Sequence, residues 1–367
     1  MKFLLLSFLI SFTTFANFSK PQLVARFMYD DAWNAPNNLW CFSGEPVALN
    51  SKIYMNCLDS ESSLVAEWSD KGFKVMTRSE EEHLFSKPLL SFEKVSWYEF
   101  SEFSAIRSYL MSDRLEKIEI KNLSSMSRPN DSFHPLSLDS FFFKTKGENP
   151  SLWMWRNNEI TPLFNPKAAY LFTPQIGPRG EIALKTRDHH LAESAPDRLW
   201  IFDGTWRVVL EDRDANPNSP WVSFRHQLSV DQNKIVVIAN DGKKNSLLLI
   251  ENDIVKIIAT EGVELLRFDY FSPKLLQNTI VVRGEDFEGN KAVYVRDEKS
   301  FRKLISQGDI VKTDRGDARV FYEQRDAIFY GAPGLDQNGN VYLQATLTDA
   351  DHPKTLLGVG LIKFLRE

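Results

Sequence analysis

The sequence predicts an all-β fold assembled from tandem repeats, and three observations carry that expectation. No long amphipathic helical period occurs after the N-terminus. Short runs of Val, Ile, Leu and aromatic residues recur instead, each bounded by Gly, Asn, Asp or Pro, the punctuation of strands and turns. The runs also return in a constant order at intervals of about 45 to 60 residues, the length of a four-stranded unit.

Four copies are plain. They cover Thr173–Leu210, Leu228–Ile258, Ser272–Leu304 and Pro333–Ile362. Each begins with a proline or turn residue and a short strand. A tight polar turn follows, then a strongly apolar strand, a polar loop, a second apolar strand, another tight turn and a last strand. An aromatic strand precedes each copy, at Tyr170–Phe172, Trp221–Phe224, Phe268–Phe271 and Ile328–Tyr330. Three weaker copies lie upstream. His134–Leu163 fits well and Pro46–Val75 acceptably, whereas Val95–Ile120 departs from the pattern and leaves room for a helix. The total is about seven units, with six or eight also compatible.

The strand after each tight turn selects the architecture. Ile235–Ala239 and Ile280–Val282 are apolar at every position, so both faces must be covered. Sheets stacked radially provide that cover, whereas a sandwich strand would alternate between apolar and polar residues. A closed ring also protects strand edges. The expectation is therefore a β-propeller of about seven four-stranded blades. Residues 22–29 can complete the last blade by joining the C-terminal sheet, or Leu361–Leu365 can supply its final strand.

The first sixteen residues stand apart. Lys2 gives a positive start, Phe3–Phe12 an apolar stretch broken only by serines, and Thr14 and Ala16 small residues at the −3 and −1 positions. This is the pattern of a secretory signal peptide cleaved after Ala16, too short for a spanning helix. It leaves residues 17–367 as a single domain without a transmembrane segment, placed in the periplasm or outside a bacterial cell. Export bears on the two cysteines, Cys41 and Cys57. In an oxidising compartment so close a pair favours a disulfide, worth about 3 kcal/mol in the chain-entropy picture; two buried free thiols are the alternative.

The tight turn inside each unit is similar to the tandem NxxGxxAF repeat of exported bacterial proteins. Asp336–Leu343 matches it with Asp for the first Asn and Tyr342-Leu343 for Ala-Phe. Gly177–Leu184 keeps the Gly and Ala, Asp231–Ile238 loses the Gly, and the copy at Asn278 is one residue shorter. The resemblance covers residues 130–367 and implies a propeller-like repeat and export. It implies no activity, so it transfers no catalytic residue.

Composition narrows the functions. The formal charge is −5, without a run of like charges, so neither nucleic acid nor an anionic membrane is an expected partner. No P-loop, dinucleotide fingerprint, GxSxG elbow or HExxH occurs, and no cofactor is implied. Asp188, His189, Asp241, Asp286 and Asp349 fall just after the apolar strand of successive units and are the catalytic candidates. The same turn repeated in each copy explains them equally well. His189 and His190 are the candidates for a metal, against a solvated loop. Asp336, Asn338 and Asn340 echo the start of a calcium loop, but the glycine falls too early and Leu347 stands where glutamate is needed.

Binding candidates fall in two places. The longest insertion, Ser306–Arg325, carries Asp314, Arg315, Asp317, Arg319, Tyr322 and Arg325, and reads as a surface loop. Trp153 and Trp155 share one face of a strand and could offer an aromatic platform, or simply core. Together these features lean away from catalysis, towards a scaffold that presents a loop-rich face to a protein or an envelope glycan. A hydrolase acting on a glycan or ester at the central channel is the alternative.

Overall fold

The computed structural model describes residues 18–27, 39, 41, 45–59, 62–69, 71–79, 84–85, 88–91, 94–100, 105–111, 114–120, 134–135, 140–144, 150–156, 159–188, 195–297, 300–321 and 328–367. These residues contain strands and no helix, and the strands fall into seven sheets in a propeller arrangement. Six sheets are built from consecutive antiparallel strands, such as Ser223–Asp231, Lys234–Asn240, Asn245–Glu251 and Ile254–Thr260.

The helix allowed for at Val95–Ile120 does not form. Lys94–Phe100, Ala105–Met111 and Arg114–Ile120 pair as an antiparallel meander. Val95 to Glu99 are buried on both faces, which the β-branched and aromatic residues of that segment suit better than a helix.

The apolar runs behave as two-faced strands. In Lys234–Asn240, Ile235, Val237 and Ala239 belong to the core shared with the sheet before, next to Leu199 and Ile201. Val236 and Ile238 belong to the core shared with the sheet after, beside Ile280 and Val282. Comparable clusters lie between the first and second, third and fourth, sixth and seventh, and seventh and first sheets. Each large side chain so buried contributes about 1.5–3 kcal/mol, so the interior is a ring of thin cores.

Cys41 and Cys57 form a disulfide within the core between the seventh and first sheets. At that junction a Cβ on Gly334 would collide with the Pro46 carbonyl, so glycine is needed for the two sheets to meet.

The seventh sheet is closed by the other end of the chain. Leu356–Phe364 is followed in the sheet by Gln22–Phe27, antiparallel, with Leu23 opposite Ile362 and Phe27 opposite Val359. Ser306–Arg325, expected as a surface loop, contributes a hairpin instead. Its strands Ile310–Thr313 and Gly316–Val320 turn on Gly316 at φ 100. One strand pairs in parallel with the N-terminal strand at Gln22 and Lys312. The other pairs with Val341–Asp349, opposing Ala318 to Asp349 and Val320 to Leu347. Five strands thus form a closed circuit around Leu23, Val311, Ala318, Val320, Leu347 and Ile362. The charged residues hid this hairpin, whose buried set is only Val311, Ala318 and Val320.

Arg26 locks the circuit. Its side chain is 1% exposed and reaches Asp314 Oδ2 at 2.9 Å and the Leu357 carbonyl at 2.9 Å. Replacing Asp314 with Ala should cost about 3 kcal/mol, because it breaks an ion pair with a buried guanidinium. Adding Arg26→Met should cost less than the sum of the single changes. Urea denaturation of the three variants measures both effects.

Candidate functional site

The first strand of several sheets is interrupted half-way along. In the fourth sheet Tyr170–Leu171 and Gln175–Ile176 both pair with Ile182–Arg187. In the sixth, Arg267–Phe268 and Lys274–Leu276 both pair with Thr279–Glu285. The fifth and seventh keep one strand but shift register between Phe224 and Leu228 and between Tyr330 and Gly334. Pro174, Pro273 and Pro333 sit in three of these breaks, where the absent N–H forbids a ladder bond. The aromatic strand and the short strand expected as separate elements are the two halves of this one strand.

A polar side chain crosses to each break from the preceding sheet. Lys144 donates to the Leu171 carbonyl at 3.0 Å, Lys185 to Phe224 at 2.6 Å and Arg283 to Gly331 at 2.5 Å. Asn56 does the same to Phe85 at 3.1 Å. In the fifth sheet the equivalent strand ends Ala239-Asn240, and Arg225 supplies the bond to the Asp269 carbonyl instead. Lys185 and Arg283 are buried, so a carbonyl partner keeps them satisfied.

These cations and the aromatic residues of the interrupted strands form a belt of two groups, one from Lys144 to His226 and one around Tyr270 and Phe271. Lys144 Nζ lies 5.7 Å from the Tyr170 ring, and Tyr170 meets Phe172 edge-on at 4.6 Å. Phe172 stacks on His226 at 4.9 Å and 20°, with Arg187 5.9 Å and Lys185 4.9 Å from its centre. Arg225, next to His226, lies 5.1 Å from the Tyr270 ring, and Arg283 lies 3.9 Å from Phe271. Contacts of this kind are worth about 0.5–2 kcal/mol each. Tyr270 is 77% exposed and Phe271 38%. His226 is exposed as well, so the belt offers open ring faces.

Several of its cations are paired with carboxylates, Arg283 with Asp269 at 2.8 Å among them. Asp197, 1% exposed, takes Lys185 at 2.5 Å and Arg187 at 2.7 and 2.8 Å, two cations on one carboxylate. Burial pushes the Lys185 ammonium below its ordinary value, with Asp197 opposing. Burial lowers His226 too, and Lys185, Arg187 and Lys144 lower it further. The charges that act on it most are those three cations. Arg225 is lowered by burial, with Glu261, Tyr270 and Asp269 opposing. Among the described residues its guanidinium has no ion pair within 4 Å.

The carboxylates singled out in the sequence lie elsewhere, each engaged within its own sheet. Asp188 pairs with Arg198 at 2.8 Å. Asp241 accepts the backbone N–H groups of Lys244 and Lys243, which hold it below the usual carboxylate range. Burial works to raise Asp286, but Lys303, the Asn290 N–H and Ser306 hold it down at about 2. Asp349 caps the turn to His352 and is lowered chiefly by that residue's N–H. No two of the four share a hydrogen bond or ion pair among the described residues. His189, His190, Tyr322 and Arg325 lie outside the described residues. Among those described, no group of three His, Cys, Asp or Glu side chains could hold a metal ion.

The other binding candidates are largely structural. Asp314 is held by Arg26, and Arg319 donates to the carbonyls of Gly308 and Ala350 at 3.0 and 3.4 Å. Asp317 gives its carbonyl to the Ala350 N–H, and Arg315 stands exposed at the hairpin tip. Trp155 is 7% exposed and Trp153 half-buried, so Trp155 offers no open face. The belt itself was not singled out, although its signal is visible. One Asn, Lys or Arg ends each of the runs Ile53–Asn56, Phe141–Lys144, Ile182–Lys185 and Ile280–Arg283.

No protein-family model and no curated protein matches the chain. Solved structures do. The chain is similar to the β-propeller domain of the Trilobed protease from Pyrococcus furiosus at 11% identity and a TM-score of 0.56, over 89% of this chain and 93% of that one. It is similar to prolyl endopeptidases at 10% identity and a TM-score of 0.51, over 88% of this chain and 50% of theirs. A puromycin-hydrolyzing peptidase of Mycobacterium tuberculosis gives 11% and 0.51, over 86% of this chain and 53% of that one. The chain thus spans about half the length of the two latter proteins, and at such identities the likeness is one of fold.

The lowered His226 gives a pH test. With its folded value below 6.5, the unfolded chain takes up a proton first as pH falls, so stability drops through and below that pH. His226→Gln should therefore show a smaller fall in melting temperature between pH 7.5 and pH 5 than the unmodified chain.

Proposed function

We propose that the chain is an exported binding scaffold whose ligand lies along the aromatic and cationic belt of the interrupted first strands. The observation that carries this reading is the run of contacts from Lys144 through Tyr170 and Phe172 to His226, with a second contact between Arg225 and the exposed Tyr270, on four consecutive sheets. Buried charge of this density is costly to assemble, and exposed rings beside it gain nothing from packing. Both make sense at a surface that a ligand covers.

Export rests on the signal-peptide pattern of residues 1–16, and the Cys41–Cys57 disulfide is compatible with an oxidising compartment. The hydrolase alternative has less support, since among the described residues Asp188 is paired with Arg198 and Asp241, Asp286 and Asp349 are engaged within their own turns.

Two measurements test the reading. The mature protein recovered from cells should begin at Asn17. On an array of cell-envelope glycans and peptides, at least one ligand bound by the mature chain should lose about tenfold in affinity with Tyr270→Ala. Ligands that bind Tyr270→Ala and His226→Gln as well as the unmodified chain would place the binding surface away from the belt.

A further inference from the structure

The seam closed by the N-terminal strand holds a cavity between the seventh and first sheets. Two hairpins of the first sheet turn at its mouth. Leu49 opposes Lys52 across Asn50 and Ser51, which stand at φ 50 and 63. Ser69 opposes Gly72, at φ 100, across Asp70 and Lys71. Two-residue turns of this kind leave their side chains outside the ladder. From the other side, the seventh sheet ends with Gln22 opposite Lys363.

The cavity has a volume of about 400 Å³, and its polar lining is Gln22, Ser51, Ser69, Lys71 and Lys363. Ile53 and Trp68, 2% and 1% exposed, form part of its wall. Volumes of about 300–1,000 Å³ are usual for small ligands. No carboxylate belongs to its lining among the described residues. Glu67 stands between Ala66 and Trp68, so the strand's alternation sends it to the opposite face, where Lys52 holds it at 3.4 Å. Asp70 lies outside the described residues. Neither Lys71 nor Lys363 has an ion pair within 4 Å among the described residues. Lys363 Nζ lies 5.7 Å from the Tyr342 ring, and Lys71 is exposed. On a chain at −5, this lining is a local concentration of positive charge.

The donors also select the anion. A planar carboxylate is best served by the fork of an arginine, and no described arginine lines the cavity. Two ammonium groups and two hydroxyls, carried on separate turns and strands, suit a group whose oxygens point in several directions. A phosphate monoester carries a charge of about −1.5 to −2 near neutral pH and three strong acceptor oxygens, enough for both lysines at once.

We propose that the cavity binds a small phosphate monoester, with the phosphate held by Lys71, Lys363, Ser51 and Ser69 and the body of the molecule against Ile53 and Val24. The site is separate from the belt and does not depend on it. A ligand there ties the turns of the first sheet to the borrowed strand, so it also braces the seam.

Calorimetric titration of the full mature chain with glucose 6-phosphate, inorganic phosphate, glucose and succinate tests it. Glucose 6-phosphate should bind at least about tenfold more tightly than glucose, which keeps the body and lacks the charge. It should also raise the melting temperature. Lys71→Gln and Lys363→Gln should each weaken it about tenfold. Lys71→Gln should leave the melting temperature of the ligand-free chain unchanged, because that side chain is exposed and unpaired. Changing Lys243 and Lys244, exposed in a turn of the fifth sheet, to Gln should leave binding unchanged. NMR spectra should show the amide signals of Ser51, Ser69 and Lys71 moving as the ester binds. Glucose binding as tightly would overturn the role of the phosphate, and succinate binding as tightly would overturn it in favour of any dianion. An equal loss with the Lys243 and Lys244 changes would reduce the effect to general charge attraction. Signals moving at His226 and Tyr270 instead would transfer the ester to the belt. No binding of glucose 6-phosphate or inorganic phosphate at millimolar concentration would overturn the site.

Discussion

A strand buried on both faces can hold a charge only where a hydrogen bond receives it, and that constraint shapes the rest of the molecule. The second strand of each sheet gives alternate residues to two different cores, as Ile235 and Val236 do. A Lys or Arg at the end of such a strand cannot reach bulk water easily. It is satisfied instead by the next sheet, whose first strand breaks and turns a carbonyl towards it. The break in turn lifts Tyr270 out of the ladder, whereas Phe172 keeps a last bond to the Lys185 carbonyl at its edge. Apolar packing, inter-sheet hydrogen bonding and the belt are thus successive consequences of one arrangement.

Closure obeys a different logic. The seventh sheet shares one face with the sixth and the other with the first, but its last place is filled from the far end of the chain. The hairpin at 310–320 then pairs with the start of the borrowed strand's outer edge, at Gln22 and Lys312. Arg26 is buried in this seam as Lys185 is in the belt, and both are answered by a carboxylate and a carbonyl.

Much of this was legible in the amino-acid order. Runs apolar at every position, such as Ile235–Ala239, announced two-sided burial and hence radial stacking, and the Cys41–Cys57 pair announced its disulfide. The N-terminal strand was recognisable as one of two ways to finish the last sheet; the structure uses both strands, side by side. Three things were hidden, for physical reasons. The hairpin at 310–320 buries only alternate residues, so its charges dominate its composition. The connections of the meander at 94–120 hold no Gly, Pro or Asn. The belt depends on which sheet each cation reaches, and neither Lys185 nor Arg225 carries that information in its own neighbourhood; pairing between blades supplies it. The repeated aspartates were conspicuous because Asp241, Asp286 and Asp349 each cap a turn, which is a local requirement and brings no two of them together.

The borrowed strand also sets an order of events. Arg26 and Leu357, joined by a hydrogen bond, are 331 residues apart in the chain. Ribosomes deliver the clasp first and its socket last, so the opening strand spends the whole of synthesis as an unpaired edge. Contacts of such long span also slow folding, because the chain must lose its loop entropy before they form. Until the final residues arrive the molecule is an arc with two sticky ends. In that interval another chain's terminal strand can take the empty place, which makes exchange of the clasp between neighbours the characteristic error of this architecture.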